Sequence, residues 1–214
     1  MDLKKLLAGP LEVAKRRRNL LIFFIATHLV FLILGQWMVA KELPGVMYIR
    51  AEQLKEIQNL PYLKPLTGIL AESLPLKILY TFFFNLVFGA FFSTTLMGLL
   101  FFFPYMIAVW RSFIIGVLVY GMDVSPAMIA VFYGTFLLEF GAYSISSAVG
   151  TDIGLALLVP AREGTTSRWE ALKVAVSEGR ELYVLVMILL FVSAIWEISW
   201  IEYMGPIIKL GGIG

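Results

Sequence analysis

His28, Gln36, Asn85, Arg111, Glu139 and Glu197 stand alone in otherwise apolar stretches of this 214-residue chain, and Asp152 follows at the end of one stretch. Imidazole, guanidinium and carboxylate groups bind ions, relay protons or hold charged ligands. Catalysis is the less supported use of them. There is no Cys and a single His, so thiol nucleophiles and Cys/His metal cages are excluded within one chain. A metalloprotease His-Glu-x-x-His needs two histidines. No Gly-x-Ser-Gly is present, and Asp123 and Asp152 would lie at opposite membrane faces, too far apart for an aspartyl pair. The expectation is a non-enzymatic protein with no cofactor and no metal.

What the polar residues can do depends on their solvent. Hydrophobic residues make up 60% of the chain and charged residues only 15%, with a mean hydropathy of +0.87. Soluble domains carry about a quarter charged residues, so this balance selects the bilayer. The apolar residues fall in blocks over 20–40, 78–103, 104–121, 126–148 and 183–204. Each is close to the ~20 residues that cross a ~30 Å core at about 1.5 Å per residue. A spanning barrel would instead need alternating segments of about ten residues. The expected fold is all-α: a polytopic membrane helix bundle of about five transmembrane helices, in one domain over 20–214. The first block exceeds the ~7–15 residues of a signal-peptide core and reads as a retained anchor. A formal charge of +2, with no basic stripe, excludes nucleic acid as a partner.

Lys15, Arg16, Arg17 and Arg18 abut the first block, which predicts a cytoplasmic N-terminus in the plasma membrane and a C-terminus outside. The 41–77 and 122–125 segments then lie outside, and 151–182 inside. Residues 1–19 read as a basic segment, either solvated or lying along the headgroups as an interfacial helix. The stretch after Met47 predicts a short outer helix ending by Pro61. On the inner side, Ser167 and Glu170 have capping-box spacing and Gly179 is a natural stop. Trp169, Leu172 and Val176 would share one face, against the membrane surface or a cytoplasmic partner at 168–178. Trp196, Trp200 and Tyr203 suit an outer aromatic belt.

At 1.5 Å per residue, His28, Arg111 and Glu139 come out at one level, each roughly 10 Å from the inner face. Asn85, Gln36 and Glu197 form a second level, about 6–11 Å from the outer face. Buried charge in lipid seeks partners. The levels therefore predict a Glu139–Arg111 pair beside His28, and Glu197 satisfied by Asn85 and Gln36. The competing reading is that Arg111 and Glu197 snorkel to the two interfaces. Gly89, Ser93, Ala142, Ser146 and Gly150 recur at three- and four-residue steps, a small-residue stripe for close helix packing. The apolar reach from Pro126 to Pro160 exceeds one span, which predicts a break near Gly150–Asp152.

The stretch from Phe84 to Gly154 resembles the stage II sporulation protein M family. It keeps "FFFNLVFGAFFSTTLMG", then Glu139, Ala142, Ala148 and Gly150 in register. It departs where Gly134, Thr135 and Phe136 replace a Pro-His-Gly, and where Arg111 and Ser112 replace an Asn-Gly. The resemblance implies a non-enzymatic multi-pass membrane scaffold that assembles with partners. In spore formers a member works beside a peptidoglycan-degrading partner. The rival expectation is a transporter or permease subunit with Arg111, Glu139 and His28 as its polar site. It shows no inverted repeat, so it would need a homodimer or a cytoplasmic partner. A dry seam at Glu139 favours the scaffold and a wet cleft favours transport.

Overall fold

The computed structural model describes residues 3–57, 60–121 and 125–210, and the side chains of 6–56, 60–121 and 125–203 within them. Asp123, most of the 122–125 turn and the last four residues lie outside the described residues.

Among the described residues every regular element is helical, as the composition predicts. The elements are α1 (Leu3–Arg16), α2 (Arg18–Ala40), α3 (Pro44–Ile57), α4 (Lys64–Thr67), α5 (Leu74–Phe84), α6 (Phe103–Val119), α7 (Pro126–Leu158) and α8 (Arg168–Leu210). A π-helical stretch, Asn85–Leu96, and a 3-10 turn, Met97–Leu99, prolong α5 into one continuous rod. Four helical stretches are long and apolar enough to cross a membrane: Arg18–Ala40, Leu74–Leu99, Pro126–Leu158 and Arg168–Tyr203. The remaining apolar helix, α6, has 17 residues and spans about 25 Å, slightly short of a ~30 Å core. The chain is thus a membrane protein by its helices, with the five apolar blocks recovered as four long helices and a short one.

Paired residues give the helix directions. Phe24 packs with Ala108 and His28 bonds Ser112, so α2 and α6 are parallel. Asn85 meets Glu139 and Thr94 meets Ser146, so the α5 rod is parallel to α7. Gly134 faces Trp196 and Gly179 faces Val149, so α8 is antiparallel to α7. Neighbouring helices of the sequence therefore alternate in direction. One end of the bundle carries Arg17 and Asp152; the other carries Tyr62 and Glu202.

Two local expectations are corrected. No break occurs at Gly150–Asp152: α7 runs unbroken to Leu158, and Gly150 and Gly154 serve as contact points with the α5 rod. Gly179 does not stop a helix; it lies inside α8, where a side chain would meet Val149. Antiparallel packing along α7 outweighs the local stop signal. Along this part of α8 the bundle buries Ala171 and Ala175, and Trp169 and Val176 are exposed. The inner cap is a variant of the expected box. Ser167 Oγ accepts from the Glu170 backbone N–H at 3.4 Å, while the Glu170 carboxylate accepts from Thr165 Oγ1 at 2.6 Å. The N-terminal segment is the helix α1, whose Val13 packs under Val149 and Leu182. The short helix after Met47 is α3, with Val46 against Val39 and Val117.

Candidate functional site

The π-helical stretch determines which groups face α7. Such wide turns are rare and concentrate at functional sites. Here they bring Asn85, Gly89, Thr94 and Gly98 onto one line opposite Glu139, Tyr143, Ser146 and Gly150. Thr94 Oγ1 donates to Ser146 Oγ at 2.8 Å and Thr95 Oγ1 to the Ser146 carbonyl at 3.1 Å. Beyond them the backbones touch: a Cβ on Gly98 would fall on Gly150, and one on Gly150 on the Thr94 carbonyl. Of the small-residue stripe, Gly89, Ser146 and Gly150 lie in this seam, and Ala142 is buried in the core beside it. Ser93 turns toward Arg111.

Above the seam the rods separate around a cavity of about 470 Å³. Its charged lining is Arg111 from α6, Glu139 from α7 and Glu197 from α8, joined by Asn85 and Tyr143. The expected Glu139–Arg111 ion pair does not form. Arg111 donates to the Gly89 carbonyl from both Nη atoms at 3.2 Å and to Ser93 Oγ at 3.1 Å, with its guanidinium 4.1 Å from the centre of the Tyr143 ring. Nor does it snorkel. The π-helical turns offer it a carbonyl and a hydroxyl, which a sequence reading based on α-helical spacing misses. Glu139 Oε1 instead accepts from Asn85 Nδ2 at 2.6 Å. Glu197 is not satisfied by Asn85 or Gln36, and makes no hydrogen bond or ion pair with a described residue. A smaller space of about 260 Å³ on the other side of Glu139 and Glu197 is lined by Thr135 and Phe136.

Two predicted members lie elsewhere. His28 shares the level of the site, but its ring packs on Phe140 at 4.5 Å and bonds Ser112 Oγ at 2.5 Å on the α2–α6 side. Gln36 Nε2 donates to Tyr133 Oη at 3.0 Å. The two levels therefore merge into one cavity of Asn85, Arg111, Glu139 and Glu197. Glu139 and Asn85 should show coupling in a double-mutant cycle: the losses from Asn85→Leu and Glu139→Leu fall short of additivity by roughly 0.5–3 kcal/mol in detergent unfolding. Additive losses would count against this bond.

The sequence reading missed a second cluster at the opposite end. Arg17 Nε bonds Glu178 Oε2 at 2.7 Å and pairs with Asp152 Oδ2 at 3.2 Å, while its Nη2 bonds Glu163 Oε2 at 2.6 Å. Burial alone would lower the Arg17 pKa, but the Glu163 bond, the Asp152 charge and the Glu178 bond raise it above its ordinary value. The signal was available: Arg17 borders a span, and all three acids lie in the segment assigned to the same side.

A profile of the stage II sporulation protein M family matches residues 20–200, every apolar helix of the bundle included. The chain belongs to that family. Comparisons with curated proteins and with solved structures give no significant match. The matched span of this SpoIIM family member covers the cavity, the Gly98–Gly150 seam and the acidic partners of Arg17; Arg17 itself precedes it.

Proposed function

We propose that this SpoIIM family member is a multi-pass plasma-membrane protein with five spans, its N-terminus cytoplasmic. In this reading it acts without enzymatic chemistry, as a permease-type subunit whose ligand enters from outside. The observation that carries the reading is the 470 Å³ polar cavity at Glu139. Its rim is Tyr62, Leu63 and Leu66, from the segment on the far side of the bundle from Arg17. A structural ion pair would leave no such volume, whereas a ligand needs it. Orientation is supported by Lys15 to Arg18 and by the alternating helices. A second copy of the chain, or a cytoplasmic partner, would complete the path.

The scaffold reading has one specific support. Trp169, 64% exposed, and Val176 stand outward on the part of α8 that extends past the Arg17 end, where a partner can dock. The small-residue seam at Gly89, Gly98, Gly150 and Gly154 is taken up by packing within the chain.

The protein has no Cys, so single cysteines report cleanly. Ile115 lines both spaces at the carboxylate level. In intact cells Ile115→Cys reacts with a membrane-impermeant maleimide added outside, while Leu29→Cys on the exposed apolar surface does not. An unreactive Ile115→Cys in folded protein would mean a dry seam and return the scaffold to first place.

A further inference from the structure

The cavity's charges are unequal: one guanidinium faces two carboxylates. Arg111 already has a carbonyl, a hydroxyl and an aromatic face as partners. Glu139 has one donor, Asn85, and Glu197 has none among the described residues. A carboxylate without a donor at membrane depth is costly, so a mobile cation is the missing partner. Among the described residues no group of three or more His, Asp or Glu gathers into a metal-ligand set. The rim suggests another kind of cation. Tyr62 stacks on Phe84 with ring centres 4.7 Å apart, Tyr80 lies 6.1 Å from Phe84, and all three line the cavity. Aromatic faces at an entrance attract ammonium ions and tolerate their methyl groups.

We propose that the cavity binds a small organic ammonium ion, its charge against Glu197 and Glu139 and its carbon substituents against Tyr62, Tyr80 and Phe84. The proposal rests on the cavity being the open, hydrated site described above, and it adds the ligand class. Anions are disfavoured by the two carboxylates, which outnumber a guanidinium already bonded to Gly89 and Ser93.

The test uses full-length Ile115→Cys protein in nanodiscs and follows its maleimide labelling rate. Tetramethylammonium and ethylammonium chlorides slow labelling saturably, and sodium chloride and sodium propionate at equal ionic strength do not. Adding Glu197→Gln raises the half-protecting concentration about tenfold or more, with an unchanged size-exclusion profile and unfolding midpoint as evidence of folding. Should that variant not fold, Tyr62→Leu, on a half-exposed rim residue, weakens protection by tetramethylammonium more than by ethylammonium. Labelling that proceeds equally fast with every salt overturns the ammonium site but leaves the open cavity standing; the carboxylates then share a proton instead. Protection by propionate alone also overturns it. No labelling at all strikes the cavity reading itself.

Discussion

Gly150→Leu unfolds the join between the α5 rod and α7, and its loss exceeds the ~1–3 kcal/mol usual for an overpacked core. Overpacked side chains can often rotate away. Here the obstruction is main chain on both sides: Thr94 and Thr95 stand where the Gly150 Cβ would lie, and Gly150 itself where the Gly98 Cβ would lie. Two rods must move apart, and the threonine–serine hydrogen bonds along the seam break with them. Lipid does not drive the helices back together, because it solvates their apolar faces as well as they solvate each other. Gly98→Ala is expected to act in the same direction. Gly141→Ala on the same helix is the control. Its Cβ would meet only Leu189 Cδ1 at an ordinary 3.6 Å, so the change is neutral or stabilises α7 by up to about 1 kcal/mol. Thermal unfolding in detergent, read by tryptophan fluorescence and by size-exclusion profile, separates the cases. Equal midpoints for Gly150→Leu and Gly141→Ala would refute the close approach.

Removing the guanidinium of Arg17 is the second large effect. Its side chain is 14% exposed, and those of Asp152 and Glu163 are 6% and 4% exposed. Arg17→Leu leaves three carboxylates facing one another with only the peripheral Arg16 and Arg162 near them. Breaking a buried pair from one side costs about 3–5 kcal/mol, mostly from the stranded charge. The same reasoning predicts rescue. Neutralising two of the acids as well, in Arg17→Leu with Asp152→Asn and Glu163→Gln, recovers most of the loss, since the one carboxylate left, Glu178, keeps Arg16 at 2.9 Å. Arg17→Lys retains the charge but not the fork that reaches Glu178 and Glu163 from different nitrogens, so an intermediate loss is expected. Detergent unfolding midpoints check the series; a triple variant no better than Arg17→Leu would refute the cluster's role. The cluster ties the α1–α2 junction to α7 and α8 at the end opposite the cavity rim. In a permease it is the contact that would hold that end shut.

Much of the bundle follows from block lengths alone. Five apolar stretches and each polar residue's position along its own helix need only the rise per residue, but the two separate levels expected for Glu139 and Glu197 collapse into one cavity. His28, bonded to Ser112 and packed against Phe140, lies at the level assigned to Arg111 and Glu139. Its face was not readable. In water a helix shows its buried side by an apolar stripe, but in lipid the outer side is apolar too and the contrast disappears. Pairings inferred from depth therefore misassigned partners: Asn85 went to Glu139, Gln36 to Tyr133, and Arg111 to Gly89 and Ser93. Extended helices hid as well, because Gly150 and Gly179 look like breaks until a packed neighbour gives each another use. The sequence by itself determined which stretches form long apolar helices and where along its own helix each charge sits. Only the tertiary structure decided which charges share a cavity, because rotation about a helix axis is set by neighbouring helices and a uniformly apolar surface carries no record of it.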